Sequence, residues 1–146
     1  MSATGSRNDP YLAFRFEVSI DDMAHAGFSE CTGLSLETEF EDYQEGGANQ
    51  FVHKFPTRTR QSNLTLKRGI VDRELWDWYY GLTQGAVRTR NVDVIVRDEA
   101  GAAAVMRWCC KDALPVKWQG SDLNATQSNV AVETLELCFA SLERRV

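Results

Sequence analysis

Tyr11-Leu-Ala-Phe-Arg-Phe-Glu-Val-Ser-Ile20 alternates for ten residues, with Leu12, Phe14, Phe16, Val18 and Ile20 apolar and Arg15, Glu17 and Ser19 polar. Successive side chains of a strand point to opposite faces, so this period of two predicts a strand with one face in a core and one in water. Asp21-Asp22 then reads as a turn and Met23–Phe28 as the returning strand. The same period recurs in Gly33–Phe40, where Leu34, Leu36 and Phe40 oppose Glu37, Glu39 and Glu41. It returns in Asn63–Gly69 and in Val92, Val94 and Val96. Asp98-Glu-Ala-Gly101 reads as a hairpin turn leading back through Val105–Cys110, with Ala113–Trp118 as a further strand and Gly120–Asn124 as a loop. Val130–Phe139 is the last predicted strand. Its apolar phase slips from Val130 and Val132 to Leu135, Leu137 and Phe139, which predicts a bulge near Thr134.

One helix interrupts this pattern. Asp72 is suited to its N-cap, and the segment runs to about Gln84, with Gly85 as the stop. Leu75, Trp78, Tyr79 and Leu82 form one stripe, and Trp76 and Tyr80 form a second, turned by about 100–140° at ~100° per residue. The first stripe suffices to cover a core. The second either marks a partner site or lies buried in a groove. Residues 42–62, with the glycine-rich Gln44–Gln50, form a connection much longer than the ~2–5 residues of a hairpin loop. The result is a mainly β domain spanning 1–146, a barrel or sandwich of about seven or more strands with one helix packed on it. A flexible N-terminus is expected over 1–9.

Composition narrows the function. With 43% apolar and 25% charged residues, the 146-residue chain suits one soluble domain. No apolar run approaches the ~18–20 residues of a membrane span, and the polar N-terminus carries no apolar signal region. The expected site of synthesis and folding is therefore a cytoplasm. A net charge of −5 argues against general nucleic-acid affinity. Arg58, Arg60, Lys67 and Arg68, and again Arg88 and Arg90, lack the interleaved aromatics of a single-strand binder and read as protein-interface pairing. Cys31, Cys109, Cys110 and Cys138 read as reduced buried thiols, since neighbours such as Cys109 and Cys110 diverge on a strand. His25 and His53 have no metal-ligand spacing, and no nucleophile elbow or phosphate loop is present. No catalytic residue, metal or cofactor is predicted, and the expected class is not an enzyme.

Several ordered stretches resemble the tail tube family of contractile phages and extracellular contractile injection systems. They are Asp9-Pro-Tyr with Phe14-Arg-Phe-Glu-Val, Gly27-Phe-Ser-Glu with Gly33-Leu, and Tyr43-Gln-Glu-Gly-Gly-Ala-Asn. Leu64–Gly69, Leu75-Trp-Asp-Trp-Tyr79, Pro115-Val-Lys-Trp118 and Glu133-Thr-Leu-Glu-Leu137 follow. Together they cover residues 9–137, and the chain is more distantly similar to the haemolysin-coregulated tube protein of type VI secretion. The resemblance implies six-membered rings stacked into a hollow tube inside a contractile sheath, assembled in a bacterial cytoplasm on baseplate or tube-initiator proteins. DNA or a cargo protein would occupy the channel, and lysis would release the particle. It further implies that the 42–62 connection reaches an adjacent ring, with Tyr43, Glu45, Gly46, Gly47, Asn49, Arg58 and Arg60 as contacts. Trp76 and Tyr80 would face the sheath or a neighbouring subunit, and Glu37, Glu39 and Glu41 the lumen. The rival reading is a monomeric ligand-binding β-barrel whose aromatics line a pocket.

Overall fold

The computed structural model describes residues 15–23, 27–43, 52–98 and 103–145. Among them the chain forms β1 (Phe16–Ile20), β2 (Glu30–Thr32), β3 (Leu36–Tyr43), β4 (His53–Gln61) and β5 (Leu64–Gly69). The helix α1 (Glu74–Thr83) follows, then β6 (Arg90–Arg97), β7 (Ala104–Gly120), β8 (Val132–Cys138) and β9 (Ser141–Arg144). Seven strands make one antiparallel sheet in the order β1-β6-β7-β8-β5-β2, with β9 also on β7, while β3 and β4 stand apart as a two-stranded ribbon. The predicted fold class is the observed one.

β7 is the spine of the sheet. Its first half pairs with β6 and β9 and its second half with β8. The sequence pattern divides it in two because one extra residue interrupts its alternation between Cys110 and Ala113. There Asp112 takes a φ of 54°, and its amide donates to Asn91 Oδ1 at 3.1 Å. A second irregularity lies between Pro115 and Lys117. Such bulges bend a strand, and here they carry one strand around two sides of the core.

That core is filled by the inward residues of the strands. Leu64 and Leu66, Val92 and Val94, and Leu135 and Leu137 pack with Val18 and Ile20 under Leu75 and Trp78 of the helix. Burying each such leucine contributes about 1.5–3 kcal/mol. Gly33 sits where the chain turns towards β3, with φ +101°, and a Cβ there would stand 2.1 Å from the Asn63 carbonyl oxygen. Only glycine fits that approach. The helix starts at Glu74, whose amide donates to Asp72 Oδ1 at 3.0 Å, and gives way to Gly85 at φ +92°.

Four expectations need correction. Met23 and Phe28 are not in a strand, because the place beside β1 is taken by β6. The strand that follows, Glu30–Thr32, pairs with β5 instead. Residues 42–62 are not one long loop, since His53–Gln61 pairs with Leu36–Tyr43 as a hairpin. The predicted bulge near Thr134 is absent: β8 pairs with β5 in unbroken register from Leu137 to Val132. The apparent phase slip arises because a carboxylate, Glu133, occupies an inward position (1% exposed). Finally, β9 lies beyond the strand predicted as last, and its Leu142 and Glu143 pair with Cys110 and Cys109.

Candidate self-assembly surfaces

The β3–β4 hairpin projects from the body as an arm, with exposed residues along almost all of both strands. Its pairing runs from Leu36 opposite Gln61 to Tyr43 opposite His53, with a step between Glu39 and Phe40 that leaves Thr57 unpaired. Thr57 Oγ1 donates to the Glu39 carbonyl at 3.1 Å and steadies that bulge. By alternation one face carries Leu36, Thr38, Phe40, Asp42, Lys54, Pro56 and Thr59, and the other Glu37, Glu39, Glu41, Tyr43, Phe55, Arg58 and Arg60. On the first face the Thr38 and Thr59 hydroxyls meet at 3.1 Å, and Leu36 and Phe40 are more than half exposed. On the second, Arg60 pairs with Glu39, and the Tyr43 ring meets Phe55 edge-on at 5.2 Å. At the base, Gln61 Nε2 donates to the Phe139 carbonyl at 2.6 Å.

The structure therefore gathers most predicted site residues onto one element. Glu37, Glu39, Glu41, Arg58 and Arg60 share a face, whereas the resemblance implies separate roles for the glutamates and the arginines. Glu45, Gly46, Gly47 and Asn49 lie outside the described residues. The missed signal was His53–Gln61, where Pro56 and a polar run conceal a strand. Both strands are edges, and an edge tolerates proline because its amide is not needed.

On the helix, Leu75 and Trp78 are buried, and Trp78 Nε1 donates to the Arg88 carbonyl at 2.8 Å. Trp76 (36% exposed) and Tyr80 (49% exposed) face outward, stacked at 5.5 Å, with Trp118 edge-on to Trp76 at 5.0 Å. Of the two dispositions open for this stripe, the exposed one is observed.

Arg68, read from sequence as part of an interface patch, is internal. Its Nε donates to Glu133 Oε1 at 2.8 Å and its terminal nitrogen to Asp72 Oδ1 at 2.9 Å, while Phe28 lies 5.4 Å beneath the guanidinium. Trp118 Nε1 donates to Glu133 Oε2 at 3.0 Å. This network satisfies both buried charges and joins the sheet to the helix entry. The uncovered sheet face carries cross-strand ion pairs, Glu17 with Arg97, Asp93 with Arg107 at 2.6 Å, and Lys111 with Glu143 at 3.4 Å.

The four cysteines are free thiols. Burial pushes Cys31 up to about 11 and Cys110 up to about 12, and it raises Cys109, where a hydrogen bond to Asp93 adds to the effect. These thiols stay protonated at neutral pH and are poor nucleophiles. His53 opens β4 on the exposed arm, while His25 lies outside the described residues. Among the described residues no His, Cys, Asp or Glu group is arranged to hold a metal ion, and no helix is long and apolar enough to cross a membrane.

The described residues thus form a bent antiparallel sheet with one covering helix and a separate two-stranded hairpin. Residues 12–143 match the family described as T4-like virus tail tube protein gp19, and the chain belongs to that family. Among solved structures, it is similar to a chain of an extracellular contractile injection system, the PVC sheath-tube complex in its extended state. The two share 24% identity over 94% of this chain and 93% of the other, with a TM-score of 0.83. A chain of the anti-feeding prophage baseplate is 25% identical over 95% and 97% of the two chains, with a TM-score of 0.79. A type six secretion system protein shares the fold at 13% identity, 90% and 83% coverage and a TM-score of 0.62. No curated protein matches the chain by sequence.

Proposed function

We propose that this chain is the repeating, non-enzymatic subunit of the inner tube of a contractile injection system or contractile phage tail. Six copies form a ring, rings stack into a hollow tube inside a contractile sheath, and the tube carries protein cargo or DNA through a target envelope. A baseplate or tube initiator starts the stack, and assembly takes place in the bacterial cytoplasm. Supporting this are family membership and the resemblance to solved sheath-tube and baseplate chains.

The observation that carries the reading is the arm. An isolated two-stranded ribbon is marginal in water, and this one bares Leu36 and Phe40 on one face as well as both backbone edges. A neighbouring copy that covers its apolar face and pairs an edge supplies the missing burial. The charged face with Glu37, Glu39 and Glu41 then turns to the wet lumen, and Arg58 and Arg60 go with it to neutralise those acids. Tyr43, with Glu45, Gly46, Gly47 and Asn49, contacts the adjacent ring. Trp76 and Tyr80 face the sheath or a neighbouring subunit. A ligand-binding barrel is disfavoured because Leu64, Leu66, Val92, Leu135 and Leu137 fill the interior at 0% exposure.

Negative-stain electron microscopy of the purified chain over a range of concentrations tests the proposal. Rings or stacked tubes with a central hole are expected. Uniform monomers at every concentration, even with a nucleating baseplate present, would overturn it.

A further inference from the structure

The helix turns one face away from the core. At ~100° per residue, Trp76 and Tyr80 take the middle of that face, with Arg73, Asp77 and Thr83 around them. Trp76 and Tyr80 stack at 5.5 Å, and Trp118 of β7 stands edge-on to Trp76 at 5.0 Å. The polar groups at the rim are answered within the helix. Arg73 donates to Asp77 Oδ1 at 3.3 Å, and Thr83 Oγ1 donates to the Tyr80 carbonyl at 2.6 Å. The centre therefore offers three aromatic rings with no charge among them.

The cluster is held from beneath. Trp118 Nε1 donates to Glu133 Oε2 at 3.0 Å, and the buried Arg68 Nε donates to Glu133 Oε1 at 2.8 Å. A ring fixed by a buried ion pair loses little freedom on being covered, and fixed aromatics inside a polar rim carry much of the affinity in protein interfaces. Composition separates the two occupants open to this face. Permanent interfaces are more apolar than those that must come apart. A tube driven out of its sheath has to release every sheath contact, whereas contacts between copies persist. An uncharged aromatic centre therefore favours a second copy. That copy brings the other uncovered apolar surface, since the arm bears Leu36, Phe40 and Pro56 together on one exposed face.

We propose that the arm of one copy lays its Leu36, Phe40 and Pro56 face over the Trp76, Tyr80 and Trp118 cluster of the next. Two unlike surfaces on each copy make a head-to-tail contact, which repeats through an assembly and leaves bare surfaces only at its ends. The inference rests on the tube reading and names the surface that receives the arm.

Assemblies grown from the purified chain contain no sheath, so tryptophan emission tells the two occupants apart. Trp76 is the exposed one among Trp76, Trp78, Trp108 and Trp118. Assembly should shift the emission to the blue and protect it from acrylamide, and Trp76→Phe should lose most of that change. Emission unaltered by assembly overturns the inference and leaves the tube reading standing. A double-mutant cycle then tests the arm as occupant. Phe40→Ser and Tyr80→Ser should each raise the concentration needed for assembly on the order of tenfold, at an unchanged far-UV circular dichroism spectrum. The double variant should need little more than either single one, because both changes remove the same contact. Effects that multiply independently overturn the inference. So does normal assembly of both serine variants with loss of sheath capture, which assigns the cluster to the sheath. The emission change is read on the parent chain and decides the matter even where a serine variant fails to fold. A parent chain that never self-associates overturns both the inference and the tube reading.

Discussion

Glu133 stands on β8 in line with Leu135 and Leu137, and Arg68 makes that burial tolerable. Their side chains are 1% and 2% exposed, so removing one partner strands the other charge away from water. Glu133→Leu alone should lower stability by about 3–5 kcal/mol, read as a shifted urea midpoint with an unchanged m value. Arg68→Met with Glu133→Leu should regain most of that loss, because no buried charge is left unpaired and the partly exposed Asp72 can be solvated instead; a double variant as unstable as the single one would contradict this account. The buried thiols carry a pH prediction. Cys31 and Cys110 rise from 9.0 to about 11 and about 12 on folding, so above pH 9 the native state holds protons that the unfolded chain has released. Their contribution to stability is fully present below pH 9 and is lost as the pH climbs towards 11–12. Urea midpoints measured from pH 8 to 11 should fall less steeply in Cys110→Ala than in the parent chain.

At the scale of the element, the arm and the helix contrast. The helix buries Leu75 and Trp78 in the common core, whereas the arm is tied to the body at its base by Gln61, and the Ser35 and Ser62 hydroxyls meet across its own two ends. Replacing most of the arm with a short turn should therefore shift the thermal midpoint by only a few degrees, about what a loss near 1 kcal/mol gives a domain of this size. The same change should leave rings intact and prevent tubes, as seen by electron microscopy. Unchanged tube formation would refute the stacking role of the arm. The helix was legible in sequence because its stripe and stop agree, although its N-cap is Arg73, one residue past the expected Asp72. The second arm strand was not, since exposed pairing leaves no apolar alternation to read in Lys54-Phe-Pro-Thr-Arg-Thr-Arg60.

For the whole molecule, the proposed assembly would form one equilibrium with folding. Any association confined to the folded state raises apparent stability with concentration. Differential scanning fluorimetry over a wide range of chain concentration should show a rising midpoint in the intact protein and a flatter response in the armless one. A flat response in both would count against burial of the arm by neighbours. The sheet order behind this behaviour was not legible in sequence. β2 and β8 flank β5 although they lie far apart in the chain, and β7 alone joins the two halves of the sheet.

The sequence by itself determined the fold class, the helix, six of the strands and the family. Each of these rests on local periodicity or on ordered motifs, which survive without knowledge of neighbours in space. The tertiary structure decided which polar residues are inside and which apolar ones are outside. Arg68 and Glu133 look like surface charges until they are seen to be each other's partners, 65 residues apart. Phe40 and Phe55 look like core residues until the arm is seen to have nothing packed on it. Burial depends on what long-range pairing brings together, and period and composition do not carry that information.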